Sequence, residues 1–227
     1  MNQKRLIVIG GGAAGFFCAV NAARLNPQMQ VVLLERSSKL LSKVKVSGGG
    51  RCNVTHACYS IADMIKKYPR GSSFLKKAFH HFFTADTITW FETRGVVLKT
   101  EADGRMFPVS NSSQSIIDCL LNEAAKYKVE IMMNATVHSV SKKDDGWELL
   151  LNNKNLTADC ICIATGGYAK ADQFNWIKDL GHTIEIPVPS LFTFNIPGNS
   201  ITALMGITVE NVSVKIAGTK LQESGPM

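Results

Sequence analysis

"RLIVIGGGAAGFFCAVNAARLNPQMQVVLLE", residues 5–35, is the stretch whose reading decides the fold. "RLIVI" is a short apolar run that reads as a buried strand. A glycine cluster follows, and then "FFCAVNAARLN", whose Ala and Leu content and spacing suit a helix ending near Asn26–Pro27. "QVVLLER" reads as a second buried strand of the parallel type, ending at Glu35. Strand, glycine turn, helix, strand and acid together spell a βαβ unit carrying the dinucleotide fingerprint in its required context. Gly10 makes the tight turn, Gly12 lets the backbone approach a pyrophosphate, and Gly15 lets helix and strand pack closely. The helix N-terminus offers N–H groups and the positive end of its dipole to phosphates. Glu35 lies 20 residues beyond Gly15, where an acid accepts hydrogen bonds from a ribose hydroxyl.

The rest of the chain is consistent with one large domain, or one domain plus the beginning of another, in 227 residues. A hydrophobic share of 45% with 19% charged residues is ordinary for a protein that buries a real core. No apolar run reaches the roughly 18–20 residues of a membrane span. The basic, apolar N-terminus is broken by glycines and lacks a small-residue cleavage site, which argues against a signal peptide. Six cysteines (Cys18, Cys52, Cys58, Cys119, Cys160, Cys162) form no CxxC pair and no zinc-ligand spacing, so reduced thiols in a cytoplasmic protein are expected, with no metal site. Cys160 and Cys162 alternate along a strand pattern and are read as packing residues on one face. Residues 1–100 hold fifteen Lys and Arg against four Asp and Glu, whereas the remainder holds ten against fourteen. The basic half is also the half with the glycine loops, which points to an anionic ligand or partner.

In the middle of the chain, "SSFLKKAFHHFFTADTITWFETRG" reads as two helices, the second starting near Thr84–Asp86 with Thr84 as its N-cap. "VVLKTEADGRMFPVS" reads as strand, turn and strand. "SSQSIIDCLLNEAAKYKV" has apolar residues at 116, 117, 120, 121, 124 and 125, the stripe of an amphipathic helix. "EIMMNATVHSV", "GWELLL" and "LTADCICIATGG" read as three strand-like runs. Beyond "IPVPS" the texture changes to the short alternating runs "LFTFNIP", "GITVENVSVKIAG" and "TKLQ". A second, β-rich domain is therefore expected from residue 190. Its 190–227 portion is too short to bury a core of its own, so the chain is expected to be incomplete.

A nicotinamide-binding domain would need nothing more after Glu35. Here "SSKLLSKVKVSGGGRCN" follows directly, with a second glycine loop and the cations Lys43, Lys45 and Arg51. A long cofactor with a second ring system beyond the pyrophosphate accounts for it, and FAD is such a cofactor. "ATGG", residues 164–167, brings another backbone turn to the same crevice.

"VIGGGAAG", "SGGGRCNVT" and "IATGG" occur in the order and spacing of the BaiN/YhiN-like flavoproteins, which this chain resembles from Leu6 to its end. The resemblance implies an α/β fold with an FAD-binding Rossmann-like parallel sheet of the glutathione-reductase type. It further implies an incomplete FAD-binding domain over 1–189, the beginning of a β-rich substrate domain over 190–227, and a C-terminal return segment that completes the first domain. By that resemblance Gly10, Gly12, Ala13, Ala14 and Gly15 meet the pyrophosphate, and Glu35, with Arg36 beside it, meets the adenosine ribose. Lys43 and Ser47, Gly48, Gly49, Gly50, Arg51, Cys52 and Asn53 line the flavin side, Val137 supports the adenine through its backbone, and Ala164, Thr165 and Gly166 close the site. The chain departs from many relatives after "ATGG", where "YAKADQFNWIKDLGH" replaces a glycine-rich stretch.

No second GxGxxG occurs, so NAD(P)H, if it is the electron donor, docks directly against the flavin. The implied activity is hydride transfer to a conjugated carbon–carbon double bond, in a steroid-like enone or a uridine of ribosomal RNA. An FAD-binding redox sensor, or a binding module without turnover, is the alternative. Arg51 is read as stabilising flavin or phosphate charge and Cys52 as a packing residue, and no catalytic proton donor is assigned. His80 and His81 lack metal-ligand spacing, and His182 is read as structural beside a helix C-cap. Lys66, Lys67, Arg70, Lys76 and Lys77, with Tyr68 among them, are the candidate contact for structured RNA, against the plainer reading of a solvated helix edge.

Overall fold

The computed structural model describes residues 3–152, 154–168, 170–188, 195–204, 207, 209 and 211–225; the strand expected over 191–194 lies outside them. The chain divides into two compact units, Met1–Ile186 and Pro187–Met227.

The first unit opens with the βαβ order read from the sequence: β1 (Arg5–Ile9), α1 (Ala13–Leu25) and β2 (Gln30–Leu34). There follow α2 (Ser42–Val46), β3 (Thr55–His56), α3 (Ile61–Ile65), α4 (Ser72–Phe79), α5 (Thr84–Glu92), β4 (Leu98–Thr100) and β5 (Arg105–Pro108). Next come α6 (Ser113–Lys126), β6 (Glu130–Met132), β7 (Val137–Lys143), β8 (Gly146–Leu151), β9 (Asn155–Ala158), β10 (Cys160–Ile163) and α7 (Asn175–Lys178).

The central sheet is four-stranded and parallel, in the order β10-β1-β2-β6. Period-two alternation gives each inner strand two buried faces. Leu6, Val8, Val31 and Leu33 pack with Phe16, Ala19, Val20 and Ala23 of α1 and with Ile116, Leu120 and Ala124 of α6. Ile7, Ile9, Val32 and Leu34 pack on the other face with Val140, Leu149, Leu151 and Ala158 of the antiparallel sheet β7-β8-β9. The result is a three-layer α/β Rossmann-like fold: helices, parallel sheet, antiparallel sheet. Arg94, in the turn after α5, ties that turn to α6: its Nε lies 2.7 Å from Glu123 Oε2, both nearly buried, and its guanidinium lies 4.0 Å from the Trp90 ring centroid.

Three sequence expectations are corrected here. "EIMMNATVHSV" is not one strand: it splits into β6 and β7, with Asn134 at φ 55° between them and the Ala135 N–H donating to the Glu35 carbonyl at 2.8 Å. "LTADCICI" splits into β9 and β10 at Asp159, whose carboxylate accepts the Arg5 N–H at 2.7 Å and so directs the chain from one sheet to the other. Thr84 is not the cap of α5. Its hydroxyl is buried and donates to the Cys58 carbonyl at 2.8 Å, and Asp86 accepts the N–H of Phe83 at the helix start. α6 is capped by Ser112, whose side chain accepts from the Gln114 N–H at 3.2 Å.

In the second unit the described residues form a 3-10 turn over Ser200–Leu204 and an antiparallel hairpin, β11 (Val212–Lys215) with β12 (Gln222–Gly225). None of the residues described there is buried.

Candidate functional site

The C-terminal ends of β10, β1 and β2 meet at one edge of the parallel sheet, the place where open α/β sheets bind ligands. Gly10 carries the chain off β1: its N–H donates to the Leu34 carbonyl, and the Ala164 N–H donates to that of Ile9, both at 2.8 Å. A β-carbon on Gly10 would stand 2.4 Å from the Ala164 oxygen, so only glycine fits between the two turns. Gly12 has extended backbone (φ −92°, ψ −172°), serves as the N-cap of α1 without a side-chain cap, and has open space within 4 Å of where a β-carbon would be. At Gly15 a β-carbon would lie 1.8 Å from the Gly10 oxygen. The three glycines thus serve turn, open cradle and close packing, as their spacing suggests.

The Glu35 carboxylate has a task the sequence reading did not assign. One oxygen accepts the Gly11 N–H at 2.9 Å, and the other accepts the Ser37 N–H and hydroxyl at 2.9 and 2.7 Å. Burial works against the charged form, but the Ser37 and Gly11 donors and the Arg36 charge prevail and hold the carboxyl below its usual range. Glu35 ties the first glycine loop to the end of β2 and remains an anionic acceptor with lone pairs to spare.

Three cavities run in sequence along this edge. The first, of about 270 Å³, is lined by Glu35, Arg36, Val137, Thr165, Tyr168 and Trp176 among others. The second, of about 610 Å³, is lined by Gly10–Ala14, Lys43 and Ala164–Gly167, and shares Gly10, Glu35, Arg36 and Thr165 with the first. The third, of about 540 Å³, shares Ala13, Ala14, Lys43 and Val44 with the second. Ser47, Cys52 and Asn53 edge it, and its floor is Phe17, Val54, Phe82, Phe91, Ile116 and Leu120. The order is a polar end, a glycine-backbone middle with one lysine, and an apolar end.

Of the sequence-derived candidates, Gly10, Gly12, Ala13, Ala14, Glu35, Arg36, Lys43, Ser47, Cys52, Asn53, Val137, Ala164, Thr165 and Gly166 line these cavities. Gly15 lies beneath them, while Gly48, Gly49, Gly50 and Arg51 do not line them. The triple glycine is instead a run of left-handed backbone, φ 56°, 68° and 83°, which accounts for its composition. A β-carbon on Gly48 would lie 2.8 Å from the Phe107 ring. Arg51 pairs with Glu101 and stacks 4.0 Å from the Phe107 centroid, and Lys45 donates to Gln114 at 2.8 Å. Of the three cations that crowd the loop in sequence, Lys43 is the one that lines the crevice.

Cys52 is buried, which pushes its thiol up and keeps it neutral. Cys160 is exposed, contrary to the packing reading, whereas Cys162 is half-buried against the α1 face. A hydrogen bond with Cys162, then burial, hold the Cys18 thiol above its ordinary range. The basic cluster is exposed throughout; Lys66 pairs with Asp63 at 2.7 Å, and Arg70 donates to the Ile186 carbonyl at 3.2 Å. Among the described residues no helix is long and apolar enough to cross a membrane. Sequence reasoning missed Tyr168, Gln173 and Trp176, for which the only signal was the departure from the glycine-rich stretch.

Comparison with known proteins shows the family. A family model described as the HI0933-like protein Rossmann domain matches residues 4–224. The 3-dehydro-bile acid delta(4,6)-reductase of Clostridium scindens is 25% identical over 99% of this chain and 56% of its own length. The ribosomal RNA dihydrouridine synthase of Escherichia coli is 33% identical over 74% of this chain and 40% of its own. The chain spans about half the length of the curated relatives it matches. In fold it is similar to the 3-ketosteroid-delta4-(5alpha)-dehydrogenase from Rhodococcus jostii, with a TM-score of 0.55 and 17% identity over 77% of this chain and 49% of that one. The three glycine motifs, the sheet that presents them and the match over residues 4–224 establish that this chain belongs to the HI0933-like, BaiN/YhiN-type family of FAD-binding Rossmann-fold oxidoreductases.

Proposed function

We propose that this chain is the FAD-binding part of a cytoplasmic oxidoreductase that takes electrons from NAD(P)H and reduces a conjugated carbon–carbon double bond. Residues 1–189 form the FAD-binding domain in this reading, and 190–227 begin a β-rich substrate domain. The observation that carries it is the run of three linked cavities, whose polar, glycine-lined and apolar characters match adenosine, pyrophosphate and flavin in order. The open space at Gly12 fits a pyrophosphate, with the first N–H groups of α1 turned toward it. Lys43 supplies a positive charge where the second and third cavities join. Glu35 accepts from the ribose, and the apolar floor excludes water from the ring system. When bound, FAD supplies hydride transfer to and from carbon.

FAD, and neither FMN nor a nicotinamide nucleotide, is expected to be released when the loaded protein is denatured. Anaerobic NADH or NADPH is expected to bleach its visible absorption. Chromatography showing FMN, or a chain that binds no flavin, would overturn the reading. A flavin bleached by neither nucleotide would favour the redox sensor or binding module.

Two substrate carriers fit the chemistry. A steroid-like enone is favoured by the bile-acid reductase among the relatives. A uridine in structured RNA is favoured by the exposed stretch from the end of α3 through α4, which carries Lys66, Lys67, Arg70, Lys76 and Lys77 together with Tyr68 and the 77%-exposed Phe74. Changing those five cations to glutamine separates the two. With RNA, affinity is expected to fall, and the slope of log affinity against log salt to flatten by about 3 to 4. With an enone, turnover is expected to stay within about twofold, because exposed charges away from an apolar cavity contribute little. Filter binding and alkene reduction at two salt concentrations read both.

A further inference from the structure

The adenosine-end cavity has three walls. The ends of β1 and β2 contribute Ile9 and Leu34, the turns that follow them contribute Gly10, Glu35 and Arg36, and the chain entering β7 contributes residues 135–138. Tyr168, Gln173 and Trp176 supply the third, from the segment that departs from the glycine-rich pattern. That segment is built to hold its aromatic residues. Gly166 turns the chain at φ 73°, a 3-10 turn spans Ala171–Phe174, and α7 carries Trp176. The Tyr168 ring sits edge-on to Phe174 with centroids 4.8 Å apart. The Lys170 N–H donates to the Gln173 side-chain oxygen at 3.3 Å, which ties that side chain to its own turn. Trp176 packs, together with Leu180, against the cluster that includes Ile9, Val140 and Leu149, so the indole is half-buried on the core and still lines the cavity.

We propose that Trp176 recognises the adenine ring of the bound cofactor by stacking, with Tyr168 and Gln173 closing the same wall. The proposal rests on the FAD reading above and names the residues that select a dinucleotide over a mononucleotide. The rest of the lining offers glycine backbone, the Glu35 carboxylate, Arg36 and the exposed His138 imidazole, which is hydrogen-bonded to Asn152, whereas Tyr168 and Trp176 bring phenol and indole rings to it. A purine base is a flat π-surface with hydrogen-bonding edges. An indole braced by the core meets its face without ordering a mobile side chain on binding, and a glutamine amide is matched in kind to adenine's N6 and N7 edge.

The test uses the whole 227-residue chain, with ADP as the probe because ADP does not absorb where indole emits. ADP is expected to quench part of the tryptophan fluorescence, and Trp176→Phe is expected to remove that quenching while calorimetry shows ADP affinity within about threefold. Trp176→Ala and Trp176→Leu are expected to weaken both ADP and FAD by about tenfold or more, as loss of a base-stacking aromatic does. Leucine keeps the apolar volume against the core, so a folded Trp176→Leu chain, checked by circular dichroism, separates stacking from packing. Unchanged ADP and FAD affinity in Trp176→Leu would overturn the adenine assignment and leave the FAD reading standing. A folded parent chain that binds neither ADP nor FAD would overturn both.

Discussion

Gly12→Thr is expected to weaken FAD binding by at least about 100-fold, a loss of about 2.7 kcal/mol, while the cofactor-free chain melts within a few degrees of the parent. Threonine is about as good an N-cap as glycine. The backbone at Gly12 is in the extended region that any residue adopts, and no atom lies within 4 Å of the new β-carbon. The fold therefore tolerates the side chain. The cofactor is not expected to, because the space the side chain fills is the part of the second cavity that faces the start of α1, where the proposed reading brings the pyrophosphate closest to backbone. Equilibrium dialysis with FAD and a thermal melt without it are the two measurements. Retained FAD affinity would mean that the phosphates pass elsewhere.

Gly15→Ala is expected to do the reverse and damage the fold itself. Its β-carbon would stand 1.8 Å from the Gly10 carbonyl oxygen and 3.3 Å from a Leu33 methyl. The first obstacle is backbone, so relief requires α1 to lift from the β1–β2 surface on which Phe16, Ala19 and Val20 are buried. Overpacking of that kind costs about 3 kcal/mol or more, against a total stability of about 5–15 kcal/mol. At this chain length the melting temperature should fall by about 6–12 °C. A circular-dichroism melt of Gly15→Ala beside Gly12→Ala makes the comparison at equal chemistry, one methyl group each. An unshifted melt for Gly15→Ala would show that α1 and β1 are not packed as closely as they stand here.

What could be read without a structure was local in the chain. Residues 5–35 bring their own explanation: two apolar runs, a helix-forming stretch and glycines at the spacing of a phosphate turn lie within one βαβ unit. Hydrophobic periodicity identified β1, β2 and α6 because each has a face that must be buried. The same signal could not divide "EIMMNATVHSV" or "LTADCICI". Alternation continues across Asn134 and Asp159, and the change of sheet comes from long-range bonds to Ser37, Glu35 and Arg5.

The residue types at the site were therefore determined by the sequence alone: the glycine fingerprint, the acid after β2, the second glycine loop with its cations, and the "ATGG" turn. Which of them face a ligand was decided by tertiary contacts between distant parts of the chain. Arg51 and Gly48 answer to Phe107 and Glu101, some fifty residues further on, so the loop's glycines serve a left-handed turn against an aromatic ring and its arginine is held in an ion pair. Lys43 faces the crevice while Lys45, two residues away on α2, reaches Gln114 of α6. Trp176 lines the first cavity because α7 packs against the β7–β9 layer, more than 130 residues from Glu35, which lines the same cavity. Local pattern carries the backbone conformation of a binding loop; the direction of each side chain depends on what the rest of the fold places beside it.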